Sequence, residues 1–556
     1  MASLCCHLDG IPLAIELAAA RVRSLSVEEI DSKLDQRFRL LTGGSRTVLL
    51  RHQTLRSLID WSYDLLNDPE RSLLRQLSVF AGGWTLAAGE RVCAAEGMEN
   101  WAFLDQLTSL ADKSLVVAEQ MDGRSRYRLL ETVRQYARDR LVECGGSEAV
   151  RRRHRDYFLT LAEEAEPKLK GAEQAMWLQG LEEEHENLRI GLEWSLVEEG
   201  SGSGLRQCGA LQQFWVTRGH LSEGRAWCGR VLDKPGAEDR TPERAKVLHV
   251  DGGLAFHLGD FSDARARFEE SLAIRRQLGD LTAIAASLNG GGIAAGRQGD
   301  FASARAMMEE SLAIRRQLGE RGGIANSLNN LGNVAHAQGD YPTARVIYEE
   351  SLAIMRKLGD GSAIAVSLFN LGNVACEQGD YLSARALADE SLAISRELQS
   401  PSGIANALEC LGNVALEQGD LASGRTRYLE CLAIGRELED RLQIAYSLEG
   451  LAALVAGLGA PLSAARLWGA MEQLRGEIGS PLPPNDQPRY DRRVAAARAV
   501  LRNDAAFAHA LDEGRALPLE EAIEIALKET IERKWALHRS ERVRLKRSDP
   551  EDGALK

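Results

Sequence analysis

From Ile324 to Gln338, small or apolar side chains recur at Ile324, Ala325, Leu328, Leu331, Gly332 and Ala335. That is the three- and four-residue spacing of a helix with one buried stripe. Gly339 follows where a helix can end in the left-handed region, and Asp340 where the next helix needs an acceptor for its first free amides. A second helix is predicted from about Tyr341 to Leu358, with Ala344, Ile347, Tyr348, Leu352 and Ile354 facing inward. The pattern then repeats. Gly-Asp, or Gly with a substitute, falls at 219–220, 259–260, 299–300, 339–340, 379–380, 419–420 and 459–460, an unbroken spacing of 40. Small residues stand where paired helices must cross closely: Gly332, Gly372 and Gly412 on the first helix, Ala304, Ala344 and Ala384 on the second. One such pair cannot bury its apolar face alone, so the units must stack. The chain is therefore mainly α, with a solenoid of about seven 40-residue helix pairs over 205–480.

The pattern changes upstream. Residues 51–94 carry three helical stretches, separated by turn signals at "NDPE" and "GGW"; Asp68 is positioned to cap a helix beginning at Pro69. Leu104, Leu107 and Leu110 mark another helix, followed by two alternating stretches across Asp122-Gly123 that read as a β-hairpin. Helices followed by a hairpin make a winged helix, assigned to 48–145, with a helical linker over 146–204. Beyond the solenoid, "LPPNDQPRY" (482–490) reads as a loop and about 491–527 as two capping helices. These form a segment 481–527, ahead of a basic and polar tail over 528–556 that is expected to be disordered.

Composition narrows the function. The net charge of −13 argues against a chain that coats nucleic acid. Nine scattered cysteines, with no run of apolar residues long enough to span a bilayer and no signal peptide, point to the cytoplasm and to no membrane role. No Gly-Lys dipeptide occurs, so no P-loop can be written, and neither metal-ligand spacing nor a nucleophile elbow is found. No enzymatic activity and no metal are expected. The Glu-rich "LEEEHENLRIGLEW" (181–194) reads as a solvated helix leading into buried Leu188, Ile190 and Trp194. The presumed recognition helix, "NWAFLDQLTSLADKS", has one lysine, Lys113, against Asp105 and Asp112, which suits DNA poorly. Basic residues cluster after it instead, at Arg124, Arg126, Arg128, Arg134, Arg138 and Arg151–Arg153.

Candidate binding residues come from the repeats. Asn333, Asn373 and Asn413 share one repeat position, Asn330 and Asn370 another, and Asn326 and Asn406 complete the set. An asparagine column on a concave face can hydrogen-bond an extended peptide through both carbonyl and amide. A partner protein, a peptide or a small-molecule inducer is the expected ligand. The alternative is that these asparagines, and the glutamines at 338, 378 and 418, are solvated residues copied by duplication, the glutamines closing helix ends.

The succession of small residue, Gly-Asp-aromatic, alanine and late aromatic resembles the tetratricopeptide repeat, which implies a right-handed superhelix. Phe268, Tyr348 and Tyr428 occupy the late aromatic position, while Met308 and Ala388 depart from it. The period of 40 exceeds the usual ~34, implying longer helices. "LDGIPLAIELAAAR" (8–21), "RHQTLRSLIDWSYDLL", "LSVFAGGWTL" and "RYRLLETVRQYARDRL", all ahead of tandem repeats, together resemble the STAND class of signal-transduction ATPases in its bacterial AP-ATPase (NB-ARC-like) branch. The resemblance implies that residues 1–47 are a remnant of the helical part of the nucleotide module, with Gly10, Pro12 and Leu13 as its nucleotide-contact turn. Leu130 and Glu131 stand where the family has a phosphate-sensing histidine and its aspartate. ATP or ADP is expected only with an intact P-loop domain, and no cofactor in this chain alone. The implied role is the regulatory and sensor portion of a signalling or transcriptional regulator, partnered by a P-loop domain or full-length homologue. A DNA-binding factor, or a subunit completing an ATPase site in trans, is the alternative.

Overall fold

The computed structural model describes residues 55–94, 100–121, 124–169, 173–197, 200 and 202–532. Gly10, Pro12 and Leu13, the hairpin turn Asp122-Gly123 and residues 533–556 of the expected tail lie outside the described residues; residues 528–532, expected to open that tail, instead end a helix, Leu519–Glu532. The chain divides into two compact units, residues 1–218 with 230–238, and residues 219–229 with 239–556. The division falls near the start of the expected solenoid, at its first Gly-substitute pair, Gly219-His220.

The first unit opens with α1 (Leu55–Asp64) and α2 (Asp68–Leu77). The α2 cap is Asn67, not Asp68: Asn67 Oδ1 accepts from the Glu70 amide and Glu70 Oε2 from the Asn67 amide, each at 2.9 Å. This reciprocal box outcompetes the aspartate because a glutamate three residues on can answer only Asn67. Then come β1 (Trp84–Thr85), α3 (Leu86–Cys93), α4 (Asn100–Asp112), β2 (Val117–Met121), β3 (Arg124–Arg128) and α5 (Glu131–Glu143). The sheet is antiparallel in order β1-β3-β2, with Trp84 opposite Tyr127 and Val117 opposite Arg128. The sequence reading took Gly-Gly-Trp only as a turn. It also delivers β1, because Gly83 (φ +102°) lets the backbone approach β3 where a Cβ would lie 2.7 Å from Tyr127 O. The module's core holds Phe80, Trp84, Phe103, Leu107, Leu110 and Tyr136. Helices α6 (Ser147–Ala165), α7 (Gln174–Glu183), α8 (His185–Val197), α9 (Gly202–Ala210) and α10 (Gln212–Arg218) complete the unit, followed by α11 (Leu221–Leu232) at the boundary.

The second unit contains six regular helix pairs: α12 (Pro242–His257) with α13 (Phe261–Leu278), α14 (Leu281–Arg297) with α15 (Phe301–Leu318), α16 (Arg321–Ala337) with α17 (Tyr341–Leu358), α18 (Gly361–Glu377) with α19 (Tyr381–Glu397), α20 (Pro401–Glu417) with α21 (Leu421–Glu437), and α22 (Arg441–Gly457) with α23 (Pro461–Glu477). The repeated Gly-Asp works as its chemistry requires. Gly259, Gly299, Gly339, Gly379 and Gly419 have φ between +72° and +83°, and each following aspartate accepts from the backbone amide three residues on. The paired helices meet at small residues; a Cβ on Gly332 would lie 2.5 Å from the Tyr348 ring and one on Gly412 2.9 Å from the Tyr428 ring. Of the inward positions expected on α17, Ala344, Tyr348 and Leu352 are buried, while Ile347 and Ile354 are only partly so.

A polar ladder that the sequence reading missed ties each pair together. The buried hydroxyls of Ser271, Ser311, Ser351 and Ser391 donate to the carbonyls of Ala245, Ala285, Ala325 and Ala365 at 2.7–2.9 Å. Cys431 replaces the serine in the next pair, at 3.4 Å from Ala405 O. Three helices cap the stack, not two: α24 (Gln487–Leu501), α25 (Asp504–Arg515) and α26 (Leu519–Glu532). The expected loop to 490 ends at Asp486, because Pro488 sits in the first helical turn, where its missing N–H costs nothing. α23 and α25 cross at Gly469 and Gly514, so closely that a Cβ on Gly469 would lie 2.1 Å from Leu511 O.

Candidate functional site

The first helices of successive pairs line a lumen of about 750 Å3. After α23 the chain turns at Gly479 (φ +63°) and runs back along this lumen. Ser480, Asn485 and Asp486 are buried in it, and Pro481, Leu482, Pro483 and Pro484 form part of its wall. The Asn485 amide donates to Ala337 O at 3.2 Å. Arg489 then pairs with Glu377 and, at 2.9 Å, with Asp486, while Arg493 pairs with Glu417 at 2.9 Å. Ala337, Glu377 and Glu417 are equivalent positions of three successive repeats. The strap 480–486 and the start of α24 thus follow the repeat spacing.

Six of the seven candidate asparagines, Asn330, Asn333, Asn370, Asn373, Asn406 and Asn413, line this lumen; Asn326 is exposed and is not among the lining residues. They are not equivalent. Tyr348 Oη donates to Asn333 Oδ1 at 2.7 Å, and Tyr428 Oη to Asn413 Oδ1 at 2.9 Å. The Asn330 amide donates to Asn289 Oδ1 at 2.9 Å, and the Asn370 amide to Asn329 Oδ1 at 3.0 Å, forming rungs between neighbouring first helices. Asn373 and Asn406 make no side-chain hydrogen bond among the described residues. At Asn373 the reason is visible: its repeat has Ala388 where those of Asn333 and Asn413 have Tyr348 and Tyr428. Of the glutamines, Gln338 closes α16 and accepts from Arg305 at 2.9 Å.

Burial sets the charge states. Glu409 receives one hydrogen bond, from Gln443 Nε2 at 3.2 Å, and burial pushes its carboxyl up to about 7. Burial also raises Glu377, against the opposing pull of Arg489, and lowers His336 so that its imidazole stays neutral. Arg489 keeps its charge because Asp486, Glu449 and Glu377 outweigh the cost of burying it.

On the winged helix, the basic residues singled out from sequence are largely engaged within the unit. Lys113 Nζ lies 2.6 Å from both oxygens of buried Glu70, whose carboxyl is held down to about 2 by Lys113 and Ser109. Arg126 pairs with Glu184 at 2.6 Å and donates to Glu183 O at 2.8 Å. Arg128 pairs with Glu119, Arg134 with Glu131 and Arg152 with Glu148. Arg153 donates to Val92 O at 2.7 Å, and Arg151 lies over the Trp194 ring. Leu130 caps α5 without a side-chain hydrogen bond.

The Glu-rich helix is not the solvated element expected from sequence. Glu184, His185 and Asn187 are buried; Leu188 is buried as foreseen, whereas Ile190 and Trp194 are only half-buried. Asn187 accepts from the Ala81 amide and donates to Gly83 O, both at 2.8 Å, and donates to Glu184 Oε2 at 2.7 Å. With Arg126 it clamps the sheet of the winged helix onto α8. Glu184, Asn187 and Gly191 share a helix face with Leu188; that spacing was the available signal.

Comparison with known proteins follows the same division. A winged helix-turn-helix domain model matches residues 66–142, and a tetratricopeptide repeat model matches 244–317 and 323–397. The chain carries a winged helix-turn-helix domain followed by tetratricopeptide repeats. A Mycobacterium tuberculosis protein bearing the name HTH-type transcriptional regulator is 41% identical over 300 residues, 53% of this chain and 34% of its own length. An uncharacterized protein of the same organism is 46% identical over 156 residues, 28% of this chain and 40% of its own length. The chain thus spans between about a third and two-fifths of the curated relatives it matches. Among solved structures, a STAND protein with a tetratricopeptide repeat sensor from Pyrococcus horikoshii aligns over 90% of this chain and 73% of its own, with a TM-score of 0.42 and 15% identity. Among the described residues, no helix is long and apolar enough to cross a membrane.

Proposed function

We propose that this chain is the regulatory and sensor part of a STAND-type signalling or transcriptional regulator. Its repeats take a protein, peptide or small-molecule inducer on the concave face, and its winged helix serves as an intramolecular clasp. The observation that carries this reading is the lumen, where asparagines from successive repeats converge around enclosed space and two of them, Asn373 and Asn406, have no side-chain hydrogen-bond partner among the described residues. A ligand there acts by binding one arrangement of the repeats better than another, which shifts a two-state equilibrium. Catalysis is assigned to none of these residues. ATP or ADP belongs to a P-loop domain acting with this chain, with Gly10, Pro12 and Leu13 as the contact turn. Equilibrium dialysis with labelled ATP tests this part: binding by this chain alone, abolished by Pro12→Ala, contradicts it.

A second reading, direct DNA binding by the winged helix, is favoured by the domain match and by the relative's name. Against it stand the acidic face of α4 and the internal pairing of Lys113, Arg126, Arg128 and Arg153. A gel shift at two salt concentrations decides. Phosphate contacts give a retardation that collapses steeply with salt, and the clasp reading expects no shift at either concentration.

A further inference from the structure

The lumen's charges do not balance. Four carboxylates line it, Glu377, Glu409, Asp440 and Asp486, against two guanidiniums, Arg297 and Arg489. Arg489 is held by Glu377 and Asp486. Asp440 closes the start of α22, accepting from the Gln443 amide at 2.9 Å. Arg297, on α14, is exposed. Among the described residues Glu409 makes no ion pair: Arg489 acts on it only from a distance, and its one hydrogen bond comes from the side-chain amide of Gln443.

Besides one unanswered donor, the Arg489 Nε–H, the surroundings hold buried acceptors that no described residue answers. Asn485 Oδ1, on the strap, has no hydrogen-bond partner among the described residues although Asn485 is only 8% exposed. His336 Nε2 is likewise buried without a partner among the described residues; burial lowers the imidazole's pKa, and in the neutral ring this nitrogen accepts when the proton sits on Nδ1. The side-chain carbonyls and amides of Asn373 and Asn406 are available, and the ring of Phe369 adds an apolar face that suits a cation, whereas Tyr446 already carries Arg475 over its ring. A buried acceptor left unanswered is costly, so this arrangement fits a ligand that brings N–H donors and positive charge.

We infer that the lumen under the strap 480–486 is a binding site for a small organic cation bearing a primary ammonium group, with Glu409 as its counter-ion and Asn373, Asn406 and Asn485 as hydrogen-bond acceptors. The inference rests on the concave-face reading above and narrows it to one ligand chemistry. A volume of about 750 Å3 suits a molecule of drug size, which either an alkyl polyamine or the amino end of a short peptide satisfies.

Isothermal titration of the full chain with four probes tests it: spermidine, tetra-alanine amide with a free amino end, its N-acetylated form, and succinate. Spermidine or the free-amine peptide binds, and which of the two binds identifies the source. The acetylated peptide and succinate bind at least tenfold more weakly. Glu409→Gln weakens the amine probe at least tenfold, and Glu409→Asp restores part of the loss. A urea midpoint at pH 8 no lower than that of the parent shows that Glu409→Gln is folded. Equal binding to Glu409→Gln, preference for succinate, or no binding of either amine overturns the inference. Succinate binding that is lost in Asn373→Leu would overturn the ammonium assignment while leaving the concave-face reading intact.

Discussion

Asn373→Ala and Asn413→Ala delete the same amide from equivalent positions one repeat apart, and the two are expected to behave differently. Tyr428 is 1% exposed, and its hydroxyl donates to Asn413 at 2.9 Å. Without Asn413 that hydroxyl is left buried and unanswered, which costs about 1–3 kcal/mol. A loss of about 2 kcal/mol is therefore expected for Asn413→Ala. Asn373 faces Ala388 rather than a tyrosine and makes no side-chain hydrogen bond among the described residues, so its truncation should stay within about 0.5 kcal/mol. Urea unfolding followed by circular dichroism measures both, comparing midpoints only where the transition slope is unchanged, because repeat arrays can lose two-state behaviour. Tyr428→Phe removes the donor instead of the acceptor. Combined with Asn413→Ala it should cost less than the two single losses together, with a coupling of about 1 kcal/mol. Equal losses for the two asparagines, or strict additivity in the cycle, would refute the division into structural and available side chains.

Further outcomes follow from the packing and the charges. In α23, Gly469→Ala drives a methyl to 2.1 Å from Leu511 O and should destabilise the repeat unit by about 1–3 kcal/mol, whereas Gly476→Ala in the same helix meets no atom within 4 Å and should be neutral or stabilising by up to about 1 kcal/mol; thermal unfolding reads the opposite signs. Asn187→Leu orphans the Ala81 amide and the Gly83 carbonyl, so hydrogen exchange should quicken at 79–85 and 124–128 while 242–477 is unchanged. Glu409 has a folded-state pKa raised from 4.5 to about 7, so burying it favours the protonated form. Its contribution is fully present below about pH 4.5 and is lost as pH rises through 7, up to about 3 kcal/mol, and Glu409→Gln should flatten that slope in urea midpoints from pH 5 to 8.

The 40-residue period, the left-handed glycines and the capping aspartates were legible because each rests on local chemistry repeated in register. The winged helix was legible for the same reason: its hairpin and helices follow their own periodicities. What escaped depends on contacts between residues distant in sequence. β1 is two residues long and exists only because Gly83 lets it approach Tyr127. Asn187 reads as one more polar residue in a charged helix until Ala81 and Gly83, more than 100 residues upstream, are brought against it. The strap followed the same rule. "LPPNDQPR" reads as a linker, and only the fold sets Arg489 against Glu377 and Arg493 against Glu417. Within the asparagine columns the sequence identified positions but not roles, since a tyrosine in the paired helix decides which carbonyl is occupied.

Selection of a random peptide library on the immobilised chain tests the concave-face reading most directly, followed by rebinding of the recovered peptides to two variants. Asn373→Leu with Asn406→Leu alters the lumen, whereas Leu382→Ser changes an 83% exposed side chain on the second helix of the same repeat pair as Asn373. Peptides that bind the parent and Leu382→Ser alike but lose at least tenfold in affinity for the double variant are the predicted result. Peptides that keep their affinity for the double variant and lose it with Leu382→Ser would contradict it.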